Sequence, residues 1–423
     1  MLVDPGLLRS RSTQRHSLIA PNLLRSLTLT RAQLPGVQAA VLGADGASWG
    51  LFDADTPRFG GTARRLVMEG QRINHLPNPR GEGIVPGTPG TTAAQWGAYS
   101  APSGITRSIL GTGREDGIDY VDVRYAGTAT ASGNIDLNAL ADAQQPAASA
   151  GQVWTFSSFA RLIAGTLPEQ LQIRIQERDS SNVNGSGSAA FVSITGVPLA
   201  AQRTSHTRTL SDAATAQIQV IRRIFIDSGV TVDCTIRHGW PQLEQGPFAS
   251  APILPPEGSP GASTRGADFV SVPLSSLGIG PEAACTLLWS GVFPVIPIGY
   301  TAIVLQVDNG SNATRWYFDS RAGDAMPRLV NSAGGLSNLS VPTAGVPLRL
   351  GLALDGTGRR AASMNGGAAV VQTGGPASGL SMLRLGGSAT GGNNMWAETV
   401  TLRVLPTALS DADLQAAVAA LPT

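Results

Sequence analysis

The chain has 423 residues, room for two or three domains of ordinary size. Apolar residues make up 42% and charged residues only 14%, which excludes a generally disordered chain. With 30 basic and 29 acidic residues the net charge is +1, so the molecule as a whole lacks the charge signature of a nucleic-acid binder. Every basic residue is Arg, which a GC-rich coding sequence explains without any functional demand for guanidinium groups. The 51 Gly and 28 Pro, set between short runs rich in Val, Ile and Thr, favour sheets over helix bundles. Two cysteines, Cys234 and Cys285, make no disulfide framework and no metal spacing. Cys234 alternates with Val232 and Ile236, the position of a buried free thiol. Met1 to Thr13 lacks the apolar core of a secretory signal. Ala284 to Val307 runs 24 residues without a charge, but its Pro and Gly residues predict two buried strands around a turn rather than a membrane span.

In chain order, residues 1–70 form an entry segment. In its first 40 residues Arg9, Arg11, Arg15, Arg25 and Arg31 outnumber Asp4. A nucleic-acid arm, a docking segment for a partner protein and ordinary solvated surface all fit this pattern, and five dispersed Arg are a weak nucleic-acid footprint. Residues 71–250 then read as a β-sandwich. Alternation places Val121 and Val123 on one face of a strand, with Tyr120, Asp122 and Arg124 on the other. Leu171, Ile173 and Ile175 alternate in the same way with Gln172, Arg174 and Gln176. Val153 to Phe159 is apolar on both faces, as in a central strand, and Ile218–Ile226 with Val232–Ile236 complete the set. Ser180 to Ser188 reads as a polar loop tip.

Residues 251–265 close a stretch that starts at Gly239 and is dense in Pro and Gly, so they read as an extended connector. Trp240 is expected to cap the joint. Residues 266–423 repeat the strand grammar, through Leu287–Phe293, Ala302–Val307, Arg315–Arg321, Leu348–Leu354 and Ala397–Leu405. Asp355-Gly356 and Asn365-Gly366 supply the turns. Ser410 before Asp411-Ala412-Asp413-Leu414 is a helix N-cap, with Leu409 and Leu414 as a hydrophobic staple. The fold class is therefore all-β: two tandem antiparallel β-sandwiches of jelly-roll type after an N-terminal segment, ending in a short helix.

Four motifs occur in order along residues 51–423. They are Pro57-Arg58-Phe59 followed by Glu69-Gly70-Gln71-Arg72-Ile73-Asn74; the opening Leu76-Pro77-Asn78-Pro79-Arg80; Trp240 to Asp268 with its Gln242-Leu243-Glu244, Ser250-Ala251-Pro252-Ile253 and Thr264-Arg265-Gly266-Ala267-Asp268 elements; and the capped helix after Pro406. Together they resemble bacteriophage (or gene transfer agent) fibre and spike proteins, with His75 standing where a Leu is usual. The resemblance implies a carbohydrate-binding-module-like sandwich at 71–250 and a concanavalin-like lectin sandwich at 266–423. It also implies an attachment segment at 1–70 that docks onto other virion proteins, a symmetric homo-oligomer, and a place on the virion as a head or tail appendage. The partner it implies is host capsular or surface polysaccharide, with no nucleic acid and no membrane insertion. A purely structural virion protein without sugar recognition is the alternative.

Catalysis finds little support. His16, His75, His206 and His238 fall in unrelated contexts, and no nucleophile elbow or phosphate-cradling loop occurs. Glu115 and Asp116 are adjacent, and neighbours on a strand face opposite ways. No enzyme, catalytic residue, cofactor or metal site is expected; Asp308-Asn309-Gly310 and residues 391–394 offer turn oxygens but too few in sequence to hold Ca²⁺. Sugar binding asks for an aromatic face beside planar polar groups. Two outward sets offer it: Tyr120, Asp122 and Arg124, and Arg315, Tyr317 and Asp319. Solvated sheet faces with cross-strand ion pairs produce the same pattern.

Overall fold

The computed structural model describes residues 18–19, 28–31, 35–97, 99–281, 284–296, 301–321, 327–331, 336–374 and 379–423. These residues divide into two compact units. One comprises residues within 1–32, 55–71 and 266–423, the other residues within 33–54 and 72–265. Both are built from largely antiparallel sheets, and α-helix is confined among the described residues to Asp411–Ala419. No helix among them is long and apolar enough to cross a membrane.

The unit containing 72–265 has two five-stranded sheets. One runs, in spatial order, Arg203–Thr209, Val153–Gly165, Thr231–Gln245, Ile118–Thr128 and Ile105–Glu115. The other runs Asn184–Val192, Leu171–Arg178, Gln217–Ile226, Gly133–Asn138 and Tyr99–Ser100. Period-two alternation feeds one core from both: Val121, Val123, Tyr125, Phe156, Cys234 and Ile236 pack with Ile173, Ile175, Ile218, Val220 and Ile224. Burial pushes the Cys234 thiol up to about 11, and the buried Cys285 of the other unit up to about 12, so neither forms thiolate readily at neutral pH.

Several sequence expectations change in this unit. Asn184 to Ser188 is not a loop tip but the start of an edge strand, Asn184–Val192, paired with Leu171–Arg178. Backbone pairing needs no particular side chain, and Gln176 adds to it by donating to the carbonyls of Gly185 and Ser186 at 2.8 and 3.0 Å. Residues 251–265 are not a bare connector. Ile253–Leu254 pairs with Gln38–Leu42, and Ser263–Arg265 with Arg72–Asn74. The Gln-Leu-Glu and Ser-Ala-Pro-Ile elements hold each other. Gln242 Oε1 accepts from the Ile253 amide at 2.7 Å, and Glu244 Oε2 from the Ser250 amide at 2.9 Å. Asn74 completes this staple: its Oδ1 accepts from the Leu243 amide at 3.1 Å and its Nδ2 donates to the Ile253 carbonyl at 3.0 Å. Trp240 packs inside this unit with Ile118, Phe159, Leu199 and Leu254 rather than capping a joint.

In the unit containing 266–423, one sheet is ordered Val370–Gln372, Arg360–Met364, Pro347–Leu354, Cys285–Val292, Ala397–Leu405, Arg65–Met68 and Phe59–Gly60, with Leu18–Ile19 parallel to Ala397–Leu405. The other is ordered Thr28–Thr30, Phe269–Pro273, Met382–Leu385, Ala302–Asp308, Arg315–Ser320, Pro327–Asn331 and Leu336–Asn338. The expected attachment segment thus supplies strands to both units instead of standing apart. Its Arg31 and Arg58 meet Asp268, which accepts from Arg31 Nη1 at 3.0 Å, from Arg58 Nη2 and from the Glu69 amide at 2.9 Å. Arg58 Nη1 also pairs with Glu69 at 2.8 Å. Burial opposes the Arg58 charge, but Asp268 and Glu69 outweigh it and raise its pKa. Removing one partner of such a buried network is costly, so Arg58, Glu69 and Asp268 hold this sandwich together.

The C-terminal helix forms as its sequence predicts. Ser410 Oγ accepts from the Asp413 amide at 3.2 Å, and Leu414, Val418 and Leu421 bury against Leu288, Ala353 and Ala361. Close approach requires Gly351 in the sheet beneath, because a Cβ there would lie 2.3 Å from Val418 Cγ2.

Candidate functional site

Tyr120, Asp122 and Arg124 share the outward face of Ile118–Thr128, while Val121, Val123 and Tyr125 face inward. The structure separates their partners. Arg237, directly across from Asp122 on Thr231–Gln245, forks onto that carboxylate at 2.8 and 2.7 Å. Its guanidinium also covers the Tyr120 ring, 3.4 Å from the centroid. Arg124 instead forks onto Asp233 at 2.8 Å through both bonds, as an exposed cross-strand pair. On the other side of Tyr120 sits Gly113. A Cβ there would lie 2.6 Å from Tyr120 Oη, so glycine lets the ring lie along the sheet.

The ring borders a groove of about 550 Å³, lined among others by Arg80, Glu82, Thr112, Arg114, Asp119 and Glu257. Asp119 is its hub. It accepts from Arg80 Nη1 at 2.9 Å, from Arg114 Nε at 2.7 Å and from Trp240 Nε1 at 3.2 Å. Arg80 is further fixed by the Pro255 carbonyl and Gln38 Oε1, at 3.2 and 3.0 Å. Arg114 reaches Glu257 at 3.1 Å, with half its side chain exposed. Its pKa is raised, first by the hydrogen bond to Asp119 and then, against burial, by Glu257. The groove therefore sets the half-exposed Arg114 guanidinium and the carboxylates of Glu82, Asp119 and Glu257 beside an aromatic edge, while the buried Arg80 holds Asp119 in place. Such groups exchange hydrogen bonds with vicinal hydroxyls, while the ring offers an apolar surface.

Sequence reading singled out Tyr120 as a candidate but not Arg80, Arg114, Asp119 and Glu257, which the structure brings to the same groove. Asp119 alternates with Tyr120, so strand periodicity assigns it to the opposite face. The strand has only begun there, however, and Asp119 remains partly exposed. Arg80 and Glu257 lie far off in the chain, and no local spacing joins them to Tyr120. Glu115 and Asp116, weighed as a carboxylate pair, are structural. Glu115 accepts from Arg161, Arg237 and the Leu199 amide, and Asp116 from the Ala200 amide at 3.3 Å. Burial would raise the Glu115 pKa, but the Leu199 amide, Arg237 and Arg161 together hold it below the usual range.

The second set lies on Arg315–Ser320 in the other unit. Trp316 and Phe318 face the core, as the alternation predicts, and Tyr317 turns away from it. Arg315 stacks on Tyr317 at 4.3 Å and donates to Gln306 Oε1 and Asn312 Oδ1, each at 3.0 Å. Asp319 is only 1% exposed, and Arg328 occupies both of its oxygens at 2.9 and 2.6 Å. Asp308 is likewise buried and forked by Arg384 at 2.6 and 3.2 Å. No cluster of three or more His, Cys, Asp or Glu suited to a metal occurs among the described residues.

No family model matches the chain, and no curated protein matches its sequence. Among solved structures, the chain is similar to the CBM40 of Ruminococcus gnavus IT-sialidase bound to α2,3 sialyllactose. Identity is 15% over 34% of this chain and 86% of that one, with a TM-score of 0.28. It is also similar to the CBM22-1-CBM22-2 tandem domain of Paenibacillus barcinonensis Xyn10C, at 9% identity over 77% and 99% of the two chains and a TM-score of 0.23. Trypanosoma rangeli sialidase gives 8% identity over 74% and 67%, with a TM-score of 0.29. Likenesses this slight carry no functional inference. The chain's own residues must do so.

Proposed function

We propose that the protein binds carbohydrate through the Tyr120 groove, as a fibre or spike adhesin that attaches a virion to bacterial surface polysaccharide. The observation that carries the sugar-binding part is the groove itself, where Arg80 and Arg114 are pinned by Asp119 beside the Tyr120 edge. Fixed side chains lose little entropy on meeting a flexible polysaccharide, so binding energy is not spent on ordering them. The virion part rests on the motif resemblance alone. In that setting the Arg-rich N-terminal segment docks onto other virion proteins, and a symmetric homo-oligomer raises the avidity of individually weak sites. A purely structural virion protein is the competing reading, favoured by the full pairing of Asp122, Arg124 and Asp319.

The test is binding of the purified protein to capsulated cells and to the same cells stripped of capsule. Wild type is compared with Tyr120→Ala, Arg114→Ala and Tyr317→Ala. The proposal expects capsule-dependent binding that the two groove variants lose and Tyr317→Ala keeps. Capsule-dependent binding by all four proteins rejects the groove. Absence of binding by a folded, oligomeric wild type rejects the adhesin in favour of the structural role.

A further inference from the structure

Arg222 breaks the apolar pattern of its strand. In Gln217–Ile226 the inward positions are Ile218, Val220, Arg222, Ile224 and Ile226, and all five are buried in the sandwich core. Arg222 is only 1% exposed, and the cross-strand row beside it holds Leu137, Ile173 and Tyr99. Its Nε donates to Ser158 Oγ at 3.0 Å. Its Nη1 and Nη2 meet no acceptor among the described residues. Among the described residues, Tyr99 and Tyr125 act on its charge, and no carboxylate pairs with it. An unpaired cation in an apolar core is among the least tolerable arrangements a fold can keep.

The polar groups around it are short of acceptors too. Tyr99 Oη, Tyr125 Oη and both ring nitrogens of His238 are buried without a protein partner among the described residues. Burial, and then the Arg222 charge, push His238 well below its usual pKa, so its ring is neutral. Burial also lowers the Arg222 pKa, to about 10, against the opposing effect of the two tyrosines, which leaves it charged at neutral pH. A guanidinium has N–H donors and no acceptor, whereas a phenol and a neutral imidazole each bring one donor and an acceptor, so the unpaired Arg222 Nη hydrogens keep donors in excess. One positive charge and an excess of donors thus meet inside a closed sandwich.

We propose that the core of this unit binds a small monovalent inorganic anion, of the chloride class, at the Nη edge of Arg222, with Tyr99, Tyr125 and His238 facing the same interior. One negative charge neutralises the guanidinium. A weakly hydrated monovalent ion suits an apolar interior, whereas a divalent oxyanion leaves one charge uncompensated. None of these residues lines the Tyr120 groove, so this site stands or falls independently of the glycan reading.

Two experiments test it on the full chain. Crystals soaked in bromide are expected to show an anomalous peak within hydrogen-bond distance of an Arg222 Nη atom. Replacing chloride by gluconate at constant ionic strength is expected to lower Tm by roughly 2–4 °C, with saturable recovery as chloride is titrated back. Arg222→Leu removes that dependence. If that variant does not fold, Tyr125→Phe is expected to raise the chloride concentration needed for half recovery. Ordered water without bromide at Arg222, or equal Tm in chloride and gluconate, overturns the proposal.

Discussion

In the unit containing 72–265, Tyr120 lies half-buried at the edge of a groove whose Arg114 is half exposed. In the other unit, Tyr317 lies on a strand whose companions Asp319, Gln306 and Asp308 are all buried. Both strands carry an outward tyrosine, aspartate and arginine, in the order Tyr120, Asp122, Arg124 on one and Arg315, Tyr317, Asp319 on the other, and in both the inward residues reach the core as alternation requires. What differs is the fate of the outward face. Alternation decides which way a side chain points, but whether that face meets solvent depends on chain segments far away in sequence. Asp122 and Asp319 show the consequence: each is forked by an arginine, one at 16% exposure and one at 1%.

The sharpest way to break this contrast is Asp319→Ala. It leaves Arg328 without its partner on a buried face, and we expect a loss of about 3 kcal/mol, measured by chemical denaturation. Gly113→Ala acts on the other strand. The new Cβ, placed 2.6 Å from Tyr120 Oη, displaces the ring at a cost of about 1 kcal/mol and weakens glycan binding. Asp319, on the Tyr317 strand, and Glu115, on the strand paired with that of Tyr120, are shifted in opposite directions. Burial raises the Asp319 pKa despite Arg328, whereas Glu115 is lowered by Leu199, Arg237 and Arg161 despite burial. Carboxyl NMR titration is therefore expected to place Asp319 above the usual aspartate value and Glu115 below the usual glutamate value. In stability terms, the Glu115 contribution is complete above its unfolded-state pKa and disappears as pH falls through the folded one. The Asp319 term is favourable at low pH and is lost as pH rises through its folded value. The smallest effect belongs to Arg124→Ala. Its pair with Asp233 is exposed at 47% and 62%, so chemical denaturation is expected to show stability close to that of wild type.

Strands with clean alternation were legible from sequence. Leu171–Arg178 and Ala397–Leu405 begin and end where their patterns do, and Ser410 caps its helix. The edge strand at Asn184–Val192 was not, because Gly and Ser carry no hydrophobic period and edge pairing relies on backbone alone. Nor was the role of the motifs. Gln242, Glu244 and Asn74 stitch one segment of backbone to another, and Arg58, Glu69 and Asp268 neutralise one another in a core. These residues preserve architecture, so a resemblance built on them speaks to fold before function. The groove escaped sequence reading for a related reason: Arg80, Asp119 and Glu257 meet only once Pro255 and its neighbours fold back beside Ile118–Thr128.

The central claim is that sugar binds beside Tyr120 and not on the paired faces around it. Isothermal titration of a capsular oligosaccharide into wild type, Arg114→Ala and Arg124→Ala tests this directly. The groove account predicts roughly tenfold weaker binding for Arg114→Ala, about 1.4 kcal/mol, and wild-type affinity for Arg124→Ala. Wild-type affinity in Arg114→Ala, or a loss confined to Arg124→Ala, would contradict it.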